Sequence, residues 1–246
     1  MSPVRGSARA LMLAYTAKNH EALAEEAREA RATHEEFSAG ILDKGLEYRL
    51  QNRIQRKIRE AHFPYRKYLQ DLDLDEYGKD VQSSMEDLFG LDFIASRRNV
   101  VLISNPGRGK THLAIGLGIA ACLKDSRVLF TNVPDLVMEL KEAMSRNQVT
   151  AYKRRFMEYG LVIIDELGYV SFDRQGNEIL FDLLSNRNDA GSMIITTNLA
   201  FERWEEVFHD TNLTGALVDR LTHRAHILDM SGESYRLKET KQLMGR

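Results

Sequence analysis

The chain has 246 residues, of which 43% are hydrophobic and 28% charged, with a formal net charge of −2. That length supports one well-buried domain plus a smaller appendage, and the near-neutral balance excludes a global pull toward nucleic acid, leaving only local patches for such binding. A single cysteine, Cys122, excludes an intrachain disulfide framework and a cysteine-based zinc site. The longest uncharged apolar run, His112 to Leu123, is too short to span a bilayer, and no secretory signal opens the chain; the expectation is a cytoplasmic protein without membrane contact.

Residues 1–62 contain one proline and three glycines and read as helical. Ala8 to Ala32 is dense in Ala, Leu and Glu, all strong helix formers. A break is expected near Ser38-Ala39-Gly40. Beyond it, Leu46, Leu50, Ile54 and Ile58 recur every four residues as an apolar stripe, with Arg49, Arg53 and Lys57 as a basic stripe about 100° around the same helix. Between Arg49 and Lys67 seven basic residues, Arg56 among them, face one acid, Glu60. The run is either a solvated helix face or a surface for the phosphate backbone of nucleic acid. Tyr65 and Tyr68 beside it are packing residues or base-stacking ones. Phe63-Pro64 marks a boundary, Asp71 to Glu76 reads as an acidic linker, and Val81 to Asp92 as a helix.

From Asn99 the pattern changes to alternating strands and helices, the signature of an α/β fold with a parallel sheet. Val100 to Ile103 is a short, β-branched strand. A glycine turn and Lys110-Thr111 follow, then a helix with Leu113, Leu117 and Ala120 at helical spacing. Strand, glycine turn, Gly-Lys-Thr and helix is the context of a phosphate-binding P-loop. Gly107 and Gly109 let successive N–H groups curl toward phosphate oxygens, and the helix N-terminus adds its dipole. Lys110 is expected to reach the β- and γ-phosphates of ATP and Thr111 to ligate Mg²⁺. The full contact set expected of the loop is Asn105, Pro106, Gly107, Arg108, Gly109, Lys110, Thr111 and His112. The motif ordinarily has glycine where this chain has Ser104, and a serine forced to positive φ there would be strained.

Arg127 to Thr131 is the second strand, Pro134 opens an amphipathic helix, and Lys153-Arg154-Arg155 on the next helix is a second basic cluster, solvated or DNA-contacting. Leu161 to Glu166 is four apolar residues ending in two carboxylates, a buried parallel strand with acids at its C-terminal edge, where α/β sheets place ligands. This is the Walker B arrangement: Asp165 holds Mg²⁺ and Glu166 orients and polarises the attacking water. Leu167 to Gly176 reads as a loop, and Ile179, Leu180, Leu183 and Leu184 as the face of another helix. Ser192 to Thr196 forms the fourth strand, and Asn198 at its tip either hydrogen-bonds the γ-phosphate or water, or caps an Asx-turn. Phe201, Trp204 and Phe208 share a core-facing side. Leu213, Leu217 and Leu221 form the buried stripe of a helix that turns Arg220 outward. Ala225 to Met230 is a last strand, and His223 and His226, lacking a third ligand, read as structural.

With Gly107 to Ala114, Leu161 to Gly168, Thr196-Thr197-Asn198, Val218 to Leu221 and Gly232 to Leu237, the chain resembles the IstB-type ATPases that assist bacterial insertion-sequence transposition, in the AAA+ initiator and helicase-loader clade. The likeness covers roughly residues 62 to 240. It implies an AAA+ ATPase domain over 69–246 behind a small helical domain, 1–68, that binds DNA or a partner. It implies that Asn198 is the sensor 1 residue, that Arg220 is an arginine finger reaching the ATP of an adjacent subunit, and that Arg236 is a second phosphate-sensing arginine. It implies a homo-oligomer with ATP at its interfaces, formed on double-stranded DNA, that recruits a partner transposase. A DnaC-type helicase loader is the alternative. The chain departs from the family pattern at Ser104 and at Asn188-Asp189, where Tyr-Glu is more usual.

Overall fold

The computed structural model describes residues 3–168, 173–188 and 190–232. They form two compact units that divide between Arg56 and Lys57. The first holds helices α1 (Pro3–Ala10) and α2 (Ala14–Glu29) and most of α3 (His34–Glu60). Its core comes from small residues of α1 and α2, with Ala8, Ala17 and Leu23 buried.

Two expectations change in α3. The break near Ser38-Ala39-Gly40 is absent, and the helix runs through it. Thr33 and Glu36 exchange bonds at its start, the Thr33 N–H to Glu36 Oε2 at 2.7 Å and the Glu36 N–H to Thr33 Oγ1 at 3.2 Å, a capping box. Ser38 satisfies its hydroxyl on the His34 carbonyl, so it does not compete with the helix. The apolar stripe is not continuously buried either: Ile58 is buried, whereas Leu46 is 59% exposed and Leu50 is exposed as well.

The second unit is the α/β fold. Helices α4 (Lys79–Phe89) and α5 (Asp92–Ala95) precede β1 (Val100–Ile103), then α6 (Lys110–Leu123), β2 (Val128–Asn132), α7 (Val133–Ser145), α8 (Val149–Met157), β3 (Leu161–Leu167), α9 (Arg174–Arg187), β4 (Ser192–Thr197), α10 (Glu205–Phe208), α11 (Thr211–Thr222) and β5 (His226–Asp229). All strand pairs are parallel, in the order β2-β3-β4-β1-β5. α6 is buried nearly all round, which explains its lack of a polar face. Asp173 caps α9 on the Gly176 N–H at 2.9 Å, so Gly176 belongs to the helix and not to the loop expected there.

β3 and β4 each carry an apolar run, Leu161 to Ile164 and Met193 to Ile195, because both strands are sheltered inside the sheet. Trp204 and Phe208 seal the sheet's face among Leu180, Leu183, Leu217 and Leu221. Because β1, β3 and β4 run parallel and adjoin through β4, their C-terminal ends open on one edge. No helix among the described residues is long and apolar enough to cross a membrane.

Candidate functional site: a phosphate-binding loop facing two carboxylates

A cavity of about 330 Å³ opens at that edge, lined by Pro106 to His112 of the loop, by Glu166 of β3, by Thr196 and Thr197 of β4 and by Asn198 just beyond it. Gly107 at φ 81° and Gly109 at φ 80° give the loop its curl. A Cβ on Gly109 would stand 2.6 Å from the Tyr77 hydroxyl, so glycine is required there twice over.

Ser104 is free of the strain expected of it, because it is not among the residues at positive φ. It continues the line of β1, its N–H donating to the Thr197 carbonyl at 3.3 Å. Lys110 Nζ rests on its carbonyl at 2.7 Å, on its Oγ at 3.1 Å and on the Asn105 carbonyl at 3.2 Å. Serine thus anchors the lysine head beside the loop. Asn105 contributes that carbonyl but does not line the cavity.

Thr111 Oγ1 donates to Asp165, 3.0 Å from Oδ1 and 3.2 Å from Oδ2. Asp165 is buried, and a second hydroxyl, Thr196 Oγ1, donates to its Oδ1 at 2.5 Å. Glu166 is exposed to the cavity and holds φ 64°, in the left-handed region. The cause is a bulge: Ile164 pairs with Ile195 but Leu167 with Thr197, so β3 carries one extra residue opposite β4. The Glu166 N–H left over by the bulge donates to Thr196 Oγ1 at 3.0 Å. Asn198 Oδ1 is buried with no hydrogen-bond partner among the described residues.

These donors suit Mg²⁺. Among the described residues no three His, Cys, Asp or Glu side chains gather as a metal cage, and one carboxylate beside one hydroxyl is the protein's usual share where phosphates complete the shell. Asp165 and Thr111 would supply such a pair.

The stretch read as an acidic linker lies in the site. Residues Leu69–Asp71 and Leu74–Glu76 form two 3-10 turns, and Tyr65, Lys67, Asp71, Leu72, Asp73, Glu76 and Tyr77 line the cavity opposite the loop. The segment lies close to α6 at Gly116, where a Cβ would come within 2.8 Å of Leu69. His112 faces the Tyr68 carbonyl at 3.1 Å, and burial lowers its pKa below the ordinary value. Arg108 lines the cavity with its guanidinium held by protein groups. It is 5% exposed, donates to the Met230 carbonyl at 3.0 Å and the Glu76 carbonyl at 3.1 Å, and lies 4.9 Å over the Tyr77 ring. Tyr77 in turn donates to the Arg108 carbonyl at 2.7 Å. No local signal in the sequence marks this segment as part of the site.

The other expected residues stand apart. Arg220 is exposed on α11, its guanidinium 5.7 Å over the Phe181 ring, and does not line the cavity. Arg236 lies outside the described residues, as does Asp189. Of the basic residues, Arg49 donates to the Met12 carbonyl at 2.9 Å, Lys57 pairs with Asp125 at 2.5 Å, and Lys153 pairs with Asp182. Arg155 lies 5.6 Å over the Tyr152 ring, while Arg53, Arg56 and Arg154 are exposed.

The family model described as IstB-like ATP binding protein matches residues 6–243. The chain belongs to this family. Among curated IstB-like relatives it is 34% identical to the ATP-binding protein of insertion sequence IS21 from Pseudomonas aeruginosa, over 90% of this chain and 84% of that one. It is also 34% identical to the ATP-binding protein of insertion sequence IS232 from Bacillus thuringiensis subsp. berliner, over 79% of this chain and 78% of that one. In fold this IstB-like chain is similar to the crystal structure of the DnaC helicase loader, with a TM-score of 0.54 at 20% identity, covering 64% of this chain and 95% of the loader. The fold is therefore the P-loop AAA+ type that the resemblance implied.

Proposed function

We propose that this IstB-like protein is a Mg²⁺-dependent ATPase that assembles on double-stranded DNA and assists a partner transposase, encoded with it in an insertion sequence, in selecting or activating the target. The observation that carries the ATPase reading is the meeting of Lys110, Thr111, Asp165, Glu166 and Asn198, drawn from the ends of three neighbouring strands, around one glycine-bearing loop. The two curated relatives, both insertion-sequence ATP-binding proteins, support the transposition context.

The chemistry follows from the residues. The N–H groups of 107–111 and the N-terminus of α6 receive the phosphates. Lys110 leaves the Ser104 and Asn105 carbonyls for the β- and γ-phosphates. Thr111 and Asp165 would hold Mg²⁺, which would neutralise charge on the phosphate oxygens. Glu166 accepts a hydrogen bond from water and aims its oxygen at the γ-phosphorus, while the Asn198 amide positions that water or the γ-phosphate. Arg220, away from its own cavity, is supplied to a neighbouring subunit, which makes hydrolysis depend on a homo-oligomer; Arg236 is a second phosphate contact. Arg49, Arg53, Arg56 and Lys57 of α3, with Lys153, Arg154 and Arg155 of α8, offer cations to the DNA backbone, and the N-terminal helical unit, which ends at Arg56 and not at residue 68, serves as the part that meets DNA or the transposase. The protein acts in the cytoplasm.

The likeness in fold to the DnaC loader favours a second reading, an adaptor for a replicative helicase. Sedimentation with and without ATP, on duplex and on single-stranded DNA, separates the two. ATP-dependent assemblies on duplex support the transposition reading. Assembly on single strands alone moves the assignment to a loader, and a monomer under every condition refutes the trans-acting Arg220.

A further inference from the structure

Thr196 is 1% exposed near the C-terminal end of the central strand, after three wholly apolar residues, Met193, Ile194 and Ile195. Valine has the same shape, favours a strand as strongly and would not bury a hydroxyl, so the side chain is not explained by packing or strand propensity. What it does is visible in its two bonds. The hydroxyl donates its one proton to Asp165 Oδ1 at 2.5 Å, and a lone pair on the same oxygen accepts the Glu166 N–H at 3.0 Å. One oxygen therefore holds the side chain of the metal-binding carboxylate and the backbone of the residue bearing the other carboxylate.

The sheet order makes this possible. β4 lies between β1, which ends in the phosphate loop, and β3, which ends in the two acids. Register places Thr196 beside Leu102 on one side, and on the other it follows Ile195, the partner of Ile164, so it meets β3 where the bulge begins. Neighbouring Thr197 differs: its Oγ1 accepts the Leu199 N–H at 3.1 Å and closes the turn after the strand.

We infer that Thr196 is a positioning residue for the nucleotide site, fixing Asp165 toward Thr111 and holding Glu166 in its left-handed conformation. The inference rests on the ATPase reading above. When the Thr111 hydroxyl turns to Mg²⁺ it gives up its bond to Asp165. Thr196 then keeps the Asp165 carboxylate oriented, and without that bond the carboxylate can rotate. Glu166 depends on the same hydroxyl, because left-handed backbone in a residue with a Cβ is strained and relaxes once its N–H loses its acceptor.

The test is Thr196→Val with Thr196→Ser as rescue, read first by affinity for a fluorescent ATP analogue in EDTA and over a Mg²⁺ titration, and then by hydrolysis. Affinity in EDTA should be unchanged in both variants. The Mg²⁺ midpoint should rise about tenfold and kcat should fall about 10- to 100-fold in T196V, as for other residues that orient a metal ligand, with KM little altered. T196S should recover both. Amide exchange in the wild-type protein supplies a measurement independent of any variant: the Glu166 N–H should be protected. An unshifted Mg²⁺ midpoint in T196V, a T196S as defective as T196V, or an unprotected Glu166 amide would overturn the assignment. A wild-type protein that binds no nucleotide at all refutes instead the ATPase reading on which it rests.

Discussion

The Thr111 hydroxyl lies 3.0 Å from Asp165 Oδ1 across 54 positions of sequence, joining the start of α6 to the end of β3. This contact brings the loop and the acids together before any nucleotide bridges them. Asp165 is buried, and its charge is held by hydroxyl donors from Thr111 and Thr196. Asp165→Asn keeps the shape but removes the charge, so Mg²⁺-linked nucleotide affinity should fall while affinity in EDTA stays. Glu166→Gln should leave both affinities intact and reduce hydrolysis roughly 10²- to 10⁴-fold, the usual weight of a general base. Equal turnover in E166Q and wild type would remove Glu166 from the chemistry.

Arg220→Ala should bind ATP as the wild type does and hydrolyse none of it, because its guanidinium stands outside its own cavity. Mixing R220A with E166Q decides the direction. Each variant lacks a different half of a shared interface, so mixed oligomers regain some turnover, whereas two defects confined to single subunits regain nothing.

Gly109→Ala places a Cβ at φ 80° and 2.6 Å from the Tyr77 hydroxyl. The backbone term costs about 1–2 kcal/mol, and the clash adds to it. Nucleotide affinity should drop with stability. Tyr77→Phe in that background should recover part of the loss, although alone it costs about 1 kcal/mol through its bond to the Arg108 carbonyl. A double-mutant cycle from denaturant unfolding and nucleotide titration checks both, and strict additivity contradicts the contact.

Arg187 is fully buried at the end of α9, donating to the carbonyls of Met157 at 3.1 Å and of Tyr159, and burial lowers its pKa to about 10. It remains charged at pH 7 and satisfies the chain end of α8. Arg187→Met fills similar volume but abandons those carbonyls, and should cost about 3 kcal/mol by chemical denaturation. Amide exchange should quicken first in α8.

His112 carries the pH dependence. Burial lowers its pKa from the ordinary 6.5, so the unfolded chain takes up the proton more readily than the folded one. Its contribution is fully present above pH 6.5 and is lost as the pH falls through the lowered folded value. Thermal melts from pH 7.5 to 5 should show this slope, and His112→Gln should flatten it.

The site was legible where its chemistry sits in consecutive residues. Gly107 to Thr111 and Leu161 to Glu166 each follow an apolar strand, and that context predicts both the turn and the acids at the sheet edge. Asn198 was legible for the same reason, as an amide at a strand tip. Leu69 to Tyr77 was not, because an acidic run with two short turns has no period, and only packing along α6 reveals what it covers. Arg108 sits in the loop motif at a position that any residue can fill; its partners, Glu76 and Met230, are 32 and 122 positions away. Whether Ser104 is strained turned on one backbone angle that the sequence does not give. The break at Ser38 to Gly40 was overruled by the capping box and by the length of the helix around it.

The sequence by itself determined the alternation of strands and helices, the parallel sheet and the phosphate loop, because each depends on hydrophobic period and local backbone freedom. Tertiary structure alone decided that β4 lies between the loop strand and the acidic strand. That order puts the Thr196 hydroxyl on Asp165 and on the backbone of Glu166, and no local pattern encodes it, since neighbours in a parallel sheet are set by how distant segments pack.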